Sequence, residues 1–510
     1  MANKIDQIFP ENGWFQKLME SFVSFLSALR ENGGKQIFNL QKIQKPKTEK
    51  TFEAIGKNSS LHLMPGNNLE LSEENIILIR NYFAENPVLV PDIFVFSLIK
   101  IEEFMILEDS LIKTFIENGC RIFYLQPRNF HESVPEVQVL ENNIFLVNSD
   151  YINGLLNGVN THLPEKDDSL IKIFFNIRNS FNVHSAIQIV NSTNFNKLSK
   201  ELKRLFGWKI AYNFPHNISK IGPSSNEVLE NGQFSSSDYD LLLTESEWQP
   251  DEFKKLFPSI SIIIVTFNNL SLTKACLASI KKNTEYPNYE LIIVDNNSDD
   301  GTKEFLEEFL KSDEAVKIMI NDKNLGFAAA NNQGVGISSG NHIVFLNNDT
   351  IVTPGWLFEL QLHLQKNPGS GMVGPVTNAI GNEAKIDFDI SDMSQINYFA
   401  SKRSADYFGK AFDIKVLALY CSMMTRNLFT TLGGLDEQFR VGMFEDDDLA
   451  MKIRNANMNL LCAEDVFIYH VHGASFNKIE DSEIQRIFHE NRAKFENKWG
   501  VKWIPHQHKK

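Results

Sequence analysis

Between Trp14 and Leu29 the apolar residues Phe15, Leu18, Met19, Phe22, Phe25, Leu26 and Leu29 recur at helical spacing, which predicts one amphipathic helix. Its polar face has few Lys or Arg, so docking on the protein's own body or on a second subunit is expected over a membrane surface. The rest of residues 1–85 is polar, and Gln41–Lys50 (QKIQKPKTEK) is basic and poor in apolar residues, as linkers are. From residue 86 the rhythm changes. Short β-branched and aromatic runs predict strands at Ile93–Ser97, Arg121–Leu125, Ile144–Asn148, Ala186–Val190, Lys209–Asn213 and Leu241–Thr244. Leu111, Ile112, Phe115 and Ile116 predict a helix between the first two, closed by Gly119. Strand, helix and strand in that order predict a parallel, Rossmann-like sheet over residues 86–255.

A sharper change at Phe257-Pro258 opens residues 256–510. Ile260–Val265 (ISIIIV) is apolar but for Ser261, as expected of a strand buried on both faces. Leu272, Ala275, Cys276 and Ile280 predict a helix, Leu291–Val294 a strand, and Phe305, Leu306, Phe309 and Leu310 another helix. Val316, Ile318 and Ile320 alternate as a third strand, and Ile343–Leu346 is a fourth. Polar clusters follow three of these strands: Thr266-Phe267-Asn268-Asn269, Asp295 through Thr302, and Asn347-Asn348-Asp349. Ligands of open α/β sheets gather at such carboxyl ends. Further on, Glu445–Asp448 opens a helix marked by Leu449, Ile453 and Ala456, where the helix dipole favours negative charge. His470 and His472 follow an apolar strand, Val466–Tyr469.

Composition narrows the choice of chemistry. Asp plus Glu number 64 against 50 Lys plus Arg, a net charge of −14, which is the wrong sign for a nucleic-acid binder. Cys120, Cys276, Cys421 and Cys462 lie far apart with no CxxC, so neither a disulfide framework nor a zinc knuckle is expected. No apolar leader follows Met1, and no run approaches the roughly 20 apolar residues of a membrane span. No GxGxxG or P-loop follows any strand of residues 86–255, so the chemistry is expected downstream of them.

The segments IIIVTFNN, LIIVDNNSDDGT, NDKNLGFAAANNQG, VFLNNDT and FEDDDLAMKIR, in that order over residues 259–500, resemble glycosyltransferase family 2 of the GT-A fold. The nearest flavour is the rhamnosyltransferase-like branch that builds bacterial surface polysaccharides. GWKIAYNF and DYDLLLTES weakly resemble the N-terminal half of a GT-B glycosyltransferase, with nothing matching its donor-binding half. The resemblance implies an α/β chain: a helical segment and linker (1–85), a Rossmann-like accessory domain (86–255), and a GT-A catalytic domain with a Rossmann-like mixed sheet (256–510).

It also implies an inverting transfer of a sugar from a UDP- or dTDP-sugar to a hydroxyl of a glycan or lipid-linked acceptor. In that reading Asp295 accepts the N3–H of the base, and Thr266 and Asn268 line base and ribose. Asn324, Gly326 and Asn347 add donor contacts. Asp349 and His470 serve a divalent cation, Mn2+ or Mg2+, and the diphosphate. Asp446 is the general base with Glu445 beside it, and Asp436, in the turn Gly433-Gly434-Leu435-Asp436, meets the acceptor.

Each residue keeps a plainer account. Asp295 and Asp349 suit turns, the acids suit a helix start, and Asn347 stands where a second carboxylate is usual. Two rival functions stay open: a second transferase site within residues 86–255, or a non-catalytic nucleotide- or sugar-binding relic. The expected location is cytoplasmic, with peripheral association at the inner face of a membrane and self-association left open.

Overall fold

The computed structural model describes residues 68–69, 73–97, 101, 109–127, 137–141, 143–149, 168–191, 195–213, 239–243, 253–311, 315–388, 393–439, 442–471 and 481–506. The helix expected at Trp14–Leu29, the linker at Gln41–Lys50 and His472 lie outside them.

The first sheet contains β1 (Asn68–Leu69), β2 (Asp92–Phe96), β3 (Ile122–Pro127), β4 (Val137–Glu141), β5 (Ile144–Ser149), β6 (Ala186–Val190), β7 (Lys209–Asn213) and β8 (Leu241–Leu243). Its order is β1-β4-β5-β3-β2-β6-β7-β8. With it come helices α1 (Glu73–Glu85), α2 (Asp109–Glu117), α3 (Asp168–Phe181) and α4 (Asn196–Phe206). The stretch β5-β3-β2-β6-β7-β8 is parallel, as expected, but β4 runs antiparallel to β5 and to β1. Val137 and Val139 alternate with Gln138, a half-apolar pattern that a search for continuous buried runs passes over.

The second sheet contains β9 (Ile260–Thr266), β10 (Tyr289–Asp295), β11 (Val316–Ile320), β12 (His342–Leu346), β14 (Ser370–Val376), β15 (Ala411–Asp413), β16 (Cys421–Thr425) and β17 (Asn459–Phe467). Their order is β11-β10-β9-β12-β16-β14-β17-β15. A short pair, β13 (Thr350–Ile351) and β18 (Tyr469–His470), stands apart. Helices α5 (Leu270–Asn283), α6 (Thr302–Leu310), α7 (Phe327–Gly336), α8 (Trp356–Lys366), α9 (Ile396–Asp406), α10 (Arg426–Thr431), α11 (Glu445–Asn455) and α12 (Asp481–Trp499) complete the described chain. β9 to β12 are parallel, and β16 enters antiparallel between β12 and β14, so the sheet is mixed as expected.

Side-chain alternation shows how the two sheets share a core. On β2, Phe94 and Phe96 enter a core with Phe174, Phe181 and Leu202 of the first sheet's outer helices. Ile93 and Val95 point the other way, into a core that also holds Ile262 and Ile264 of β9 and Leu357, Phe358 and Leu360 of α8. Ile263 of β9 faces a third core with Ala328 of α7 and Leu449 of α11. Helix α8 therefore lies between the sheets, and every residue from Trp356 to Leu364 is buried.

Three of those nine are polar, and each needs a partner. Arg178 of α3 donates through Nη2 to Glu359 Oε1 (2.5 Å), and His184 Nδ1 lies 3.1 Å from the same oxygen. On the other side His363 Nε2 is 2.6 Å from Asp465 Oδ1 of β17. The His184 ring sits where a Cβ at Gly355 would be, and Gly355 has φ +77°, so glycine is needed there twice over. Burial opposes ionisation of Glu359, but the charge of Arg178 and the contact with His184 outweigh it and bring its pKa down to about 2.

Glu359→Ala should leave Arg178 buried without its carboxylate and cost about 3–5 kcal/mol in denaturant unfolding. Because the folded value is depressed, that contribution is complete above the ordinary carboxylate range and lost as pH falls toward 2. The gap between wild type and variant should accordingly narrow from pH 7 to pH 3; a constant gap would point to packing alone.

Candidate functional site

The carboxyl ends of β9 and β10 stand level, Thr266 paired with Asp295. Asp295 is fully buried, and its carboxylate accepts from the Ser298 backbone N–H (2.9 Å) and hydroxyl (2.5 Å). Its contacts within the chain are thus those of a turn-former. Asn268 and Asn269 adopt positive φ, +56° and +62°, which Asn tolerates. The Asn268 N–H donates to Ser298 Oγ (2.7 Å), and its side-chain oxygen accepts from Asp299 N–H (2.8 Å). Thr266 is buried, its hydroxyl 3.4 Å from that of Thr273, which in turn accepts from Asn348 Nδ2 (2.9 Å). The three polar clusters are therefore joined.

Asn296 ties in the loop before α7. Its Nδ2 donates to Asn324 Oδ1 (3.0 Å) and Gly326 O (3.2 Å), while its Oδ1 accepts from Asn321 Nδ2 (3.1 Å) and Leu325 N–H (3.0 Å). Asn324 Oδ1 also accepts the Gly326 N–H (2.9 Å), and Gly326 begins α7 at φ +86°. Asn324 and Gly326, two of the expected donor-side residues, are bonded to this asparagine, whose role the sequence reading did not foresee.

Asp349 and His470 meet across the β13–β18 pair. Asp349 Oδ1 is 3.3 Å from His470 Nε2. The other ring nitrogen, Nδ1, is 3.0 Å from Ala379 O, an acceptor, so Nδ1 carries the proton there. In the neutral ring that leaves lone pairs of Nε2 and Oδ1 facing each other, an arrangement that needs a proton or a cation between them. Two ligands cis on an octahedral ion with bonds of about 2.1 Å stand about 3.0 Å apart, close to the spacing seen, so the pair fits a divalent cation. No cluster of three or more His, Cys, Asp or Glu suited to a metal occurs among the described residues, so a cation held here would take its remaining ligands from substrate and water. Tyr420 stacks on the His470 ring (16°, centres 5.0 Å apart), and Asn378 holds its backbone. Asn347 enters through its backbone, its N–H bonded to Tyr420 O (2.8 Å) and its carbonyl to Thr350 Oγ1 (2.7 Å).

The acids open α11 but do not cap it: the cap position is Phe444, at φ +76°. Glu445 is 9% exposed, with Oε2 buried and lacking a hydrogen-bond partner. Asp446, half-buried, accepts the Asp447 N–H (2.9 Å). Asp447 and Asp448 are instead held by the chain's last described residues: Trp503 Nε1 donates to Asp447 Oδ1 (3.0 Å), and Trp499 Nε1 (2.9 Å) and Lys498 Nζ (2.6 Å) reach Asp448 Oδ1. Burial and then the Asp447 charge push Asp446 up to about 7. Burial and then the Asp446 charge drive Glu445 well above the usual carboxylate range. Asp436 binds Lys498 Nζ (2.6 Å) and Gln438 Nε2 (2.7 Å), a set of contacts that fixes its turn against α12.

A short loop connects the two acidic centres. Asn378 and Ala379 hold His470, and Glu383, five residues on, lines the same cavity as Asp447 and Trp503. Five residues span at most about 18 Å, so Glu383 on that cavity lies within this reach of the residues that hold His470. Trp499, Trp503 and His506 were missed in the sequence; a tryptophan pair four apart at the end of a polar helix was the available signal.

Asn296→Leu keeps the side chain's size but strands its loop partners. It should cost about 1–3 kcal/mol and speed hydrogen exchange at the Leu325 amide. Unchanged exchange there would mean the loop is held by other contacts.

The sequence pattern described as "Glycosyl transferase family 2" matches residues 261–433. An uncharacterised protein of Sinorhizobium fredii is 24% identical over 382 residues, 69% of this chain and 41% of that one. "Glycosyltransferase AglE" of Haloferax volcanii is 33% identical over 29% of this chain and 49% of its own length. "O-antigen biosynthesis protein RfbC" of Myxococcus xanthus is 26% identical over 43% of this chain and 18% of its own. The chain thus spans less than half the length of these relatives. Residues 261–433 carry, within the second sheet and its helices, a domain of glycosyl transferase family 2.

Proposed function

We propose that residues 256–510 transfer a sugar from a pyrimidine nucleotide sugar to a hydroxyl of a glycan or glycolipid, by inverting single displacement, in the synthesis of a surface polysaccharide. Residues 86–255 then serve as an accessory unit on the acceptor side. The observation that carries the reading is the Asp349–His470 pair, a carboxylate oxygen and an imidazole nitrogen 3.3 Å apart on the edge where β9, β10 and β12 end.

In this mechanism the acceptor hydroxyl attacks the anomeric carbon as the bond from that carbon to the diphosphate oxygen breaks. Asp446 takes the hydroxyl proton. Its position near 7 suits a general base, ionised in good part at neutral pH yet a far stronger base than an ordinary carboxylate. Burial and then its neighbour's charge raise the proton affinity of Glu445, which disfavours a second repelling charge beside the base. Asp349 and His470 would hold the divalent cation, which when bound neutralises the departing diphosphate. Asp295, Thr266 and Asn268 shape the base and ribose side, Asn324, Gly326 and Asn347 the rest of the donor wall, and the turn bearing Asp436 borders the acceptor.

The test is turnover of UDP-, dTDP- and GDP-sugars, to water or to an added glycan acceptor, with and without Mn2+ or Mg2+. Activity on none of them would sink the proposal. Asp446→Asn should lose about 10²–10⁴ in kcat while still binding UDP. Since the folded value of Asp446 lies above its ordinary one, ionising it opposes folding as pH rises through 7. Asp446→Asn should therefore melt higher than wild type at pH 8, with the difference shrinking below pH 5. A variant that is slow but no more stable at pH 8 would contradict the raised value.

A further inference from the structure

The segment Val501–His506, which follows α12, folds back over the start of α11. Trp503 packs edge-on against Phe444 and Phe488, and its N–H donates to Glu496 Oε1 (3.0 Å). The His506 ring stands perpendicular to the Trp503 indole, with centres 5.7 Å apart. Both side chains converge on one carboxylate: Trp503 Nε1 donates to Asp447 Oδ1 (3.0 Å), and His506 Nε2 lies 3.3 Å from that oxygen and 3.4 Å from Oδ2. Asp447 passes the restraint on, since its backbone N–H is bonded to Asp446 Oδ1.

We propose that His506 is a positioning residue for the transfer reaction, fixing Asp446 through Asp447 and supplying the positive charge that keeps Asp446 available as a base. The inference rests on reading Asp446 as that base. Asp446 is faced by Glu445 and Asp447 of its own helix and by His506 of the strap. His506 is faced by Asp447 and Asp446 and, from the loop after β14, by Glu383. Two lysines at this end of α11 are committed elsewhere: Lys498 bridges Asp436 and Asp448, and Lys452 lies against Asp448 and Gly434 O. Lys415 and Lys502 line the cavity beside Asp447. Its hydrogen bond to Asp447 raises His506 above its ordinary value, with the charges of Asp447, Asp446 and Glu383 acting in the same sense, which carries its charge toward neutral pH. That charge opposes the burial and the Asp447 repulsion that push Asp446 upward. A cavity of about 490 Å³ opens between strap and helix, lined by Glu383, Met451, Trp503, Ile504 and Asp447, the last of these next in sequence to Asp446.

Coupling of this kind is reciprocal: what His506 does to Asp446, Asp446 does to His506. The full chain with isotope-labelled histidines is titrated by NMR, beside Asp446→Asn and His506→Gln, the signal lost in the latter identifying His506. In Asp446→Asn the His506 midpoint should fall by roughly 0.5–1 pH unit, the size of one screened charge close by. In His506→Gln the acid limb of nucleotide-sugar hydrolysis should move to higher pH by a similar amount, and His506→Lys should move it back. An unchanged His506 midpoint in Asp446→Asn overturns the proposal. So does a His506→Gln protein slowed equally at every pH, the mark of a strap that only supports the fold. If the midpoint moves but Asp446→Asn keeps the wild-type rate, the base assignment has failed, and the role of His506 falls with it.

Discussion

Helix α8 is buried on every side yet carries Glu359 and His363, and the architecture depends on satisfying both. Arg178 and His184, from the first sheet's half, neutralise Glu359; Asp465, from β17, answers His363. The helix is thereby tied to both halves, and pulling them apart breaks the contacts of Arg178 and His184 with Glu359. What hangs on it is the site, because Trp356 begins α8 only five residues after β13, the strand that sets Thr350 opposite His470.

Polar groups at the cleft follow the opposite rule. Where α8 pairs its charges, α11 collects four acids at one end, turns two toward tryptophans and cations, and leaves Glu445 and Asp446 with raised proton affinity. Positive φ at Met443 and Phe444 adds backbone strain at the same point. Strain and unpaired acid at one helix start are disfavoured by folding alone, which is why they point to chemistry.

Much of this was legible in the sequence, unevenly. Runs such as ISIIIV and LIIV announced β9 and β10 because a parallel strand buried on both faces has few polar positions to blur it. Strands β4, β14 and β16 were not anticipated as elements, and β17 only at its end, within the strand read at Val466–Tyr469: each mixes apolar with polar or small residues, as in CSMMT and SGMVGPV. Among site residues, Asp349 and His470 were named together, and the structure sets them 3.3 Å apart; Asp295 was named for its place at a strand end, and its observed partner is Ser298. Asn296, Trp503 and His506 escaped notice because their importance lies in long-range contacts that no local pattern encodes. The continuous core between the sheets was equally hidden, since alternation tells which residues share a face and not what covers it.

The central claim is that a nucleotide diphosphate and a divalent cation meet at the Asp349–His470 pair. Anomalous diffraction from crystals grown with UDP and Mn2+ tests it most directly. The account predicts one manganese peak within bonding distance of Asp349 Oδ1 and His470 Nε2, with the diphosphate completing its coordination and the uracil beside Thr266 and Asp295. Manganese and UDP bound instead against the first sheet, over residues 86–255, with the Asp349–His470 pair in direct contact and no metal between, would contradict it.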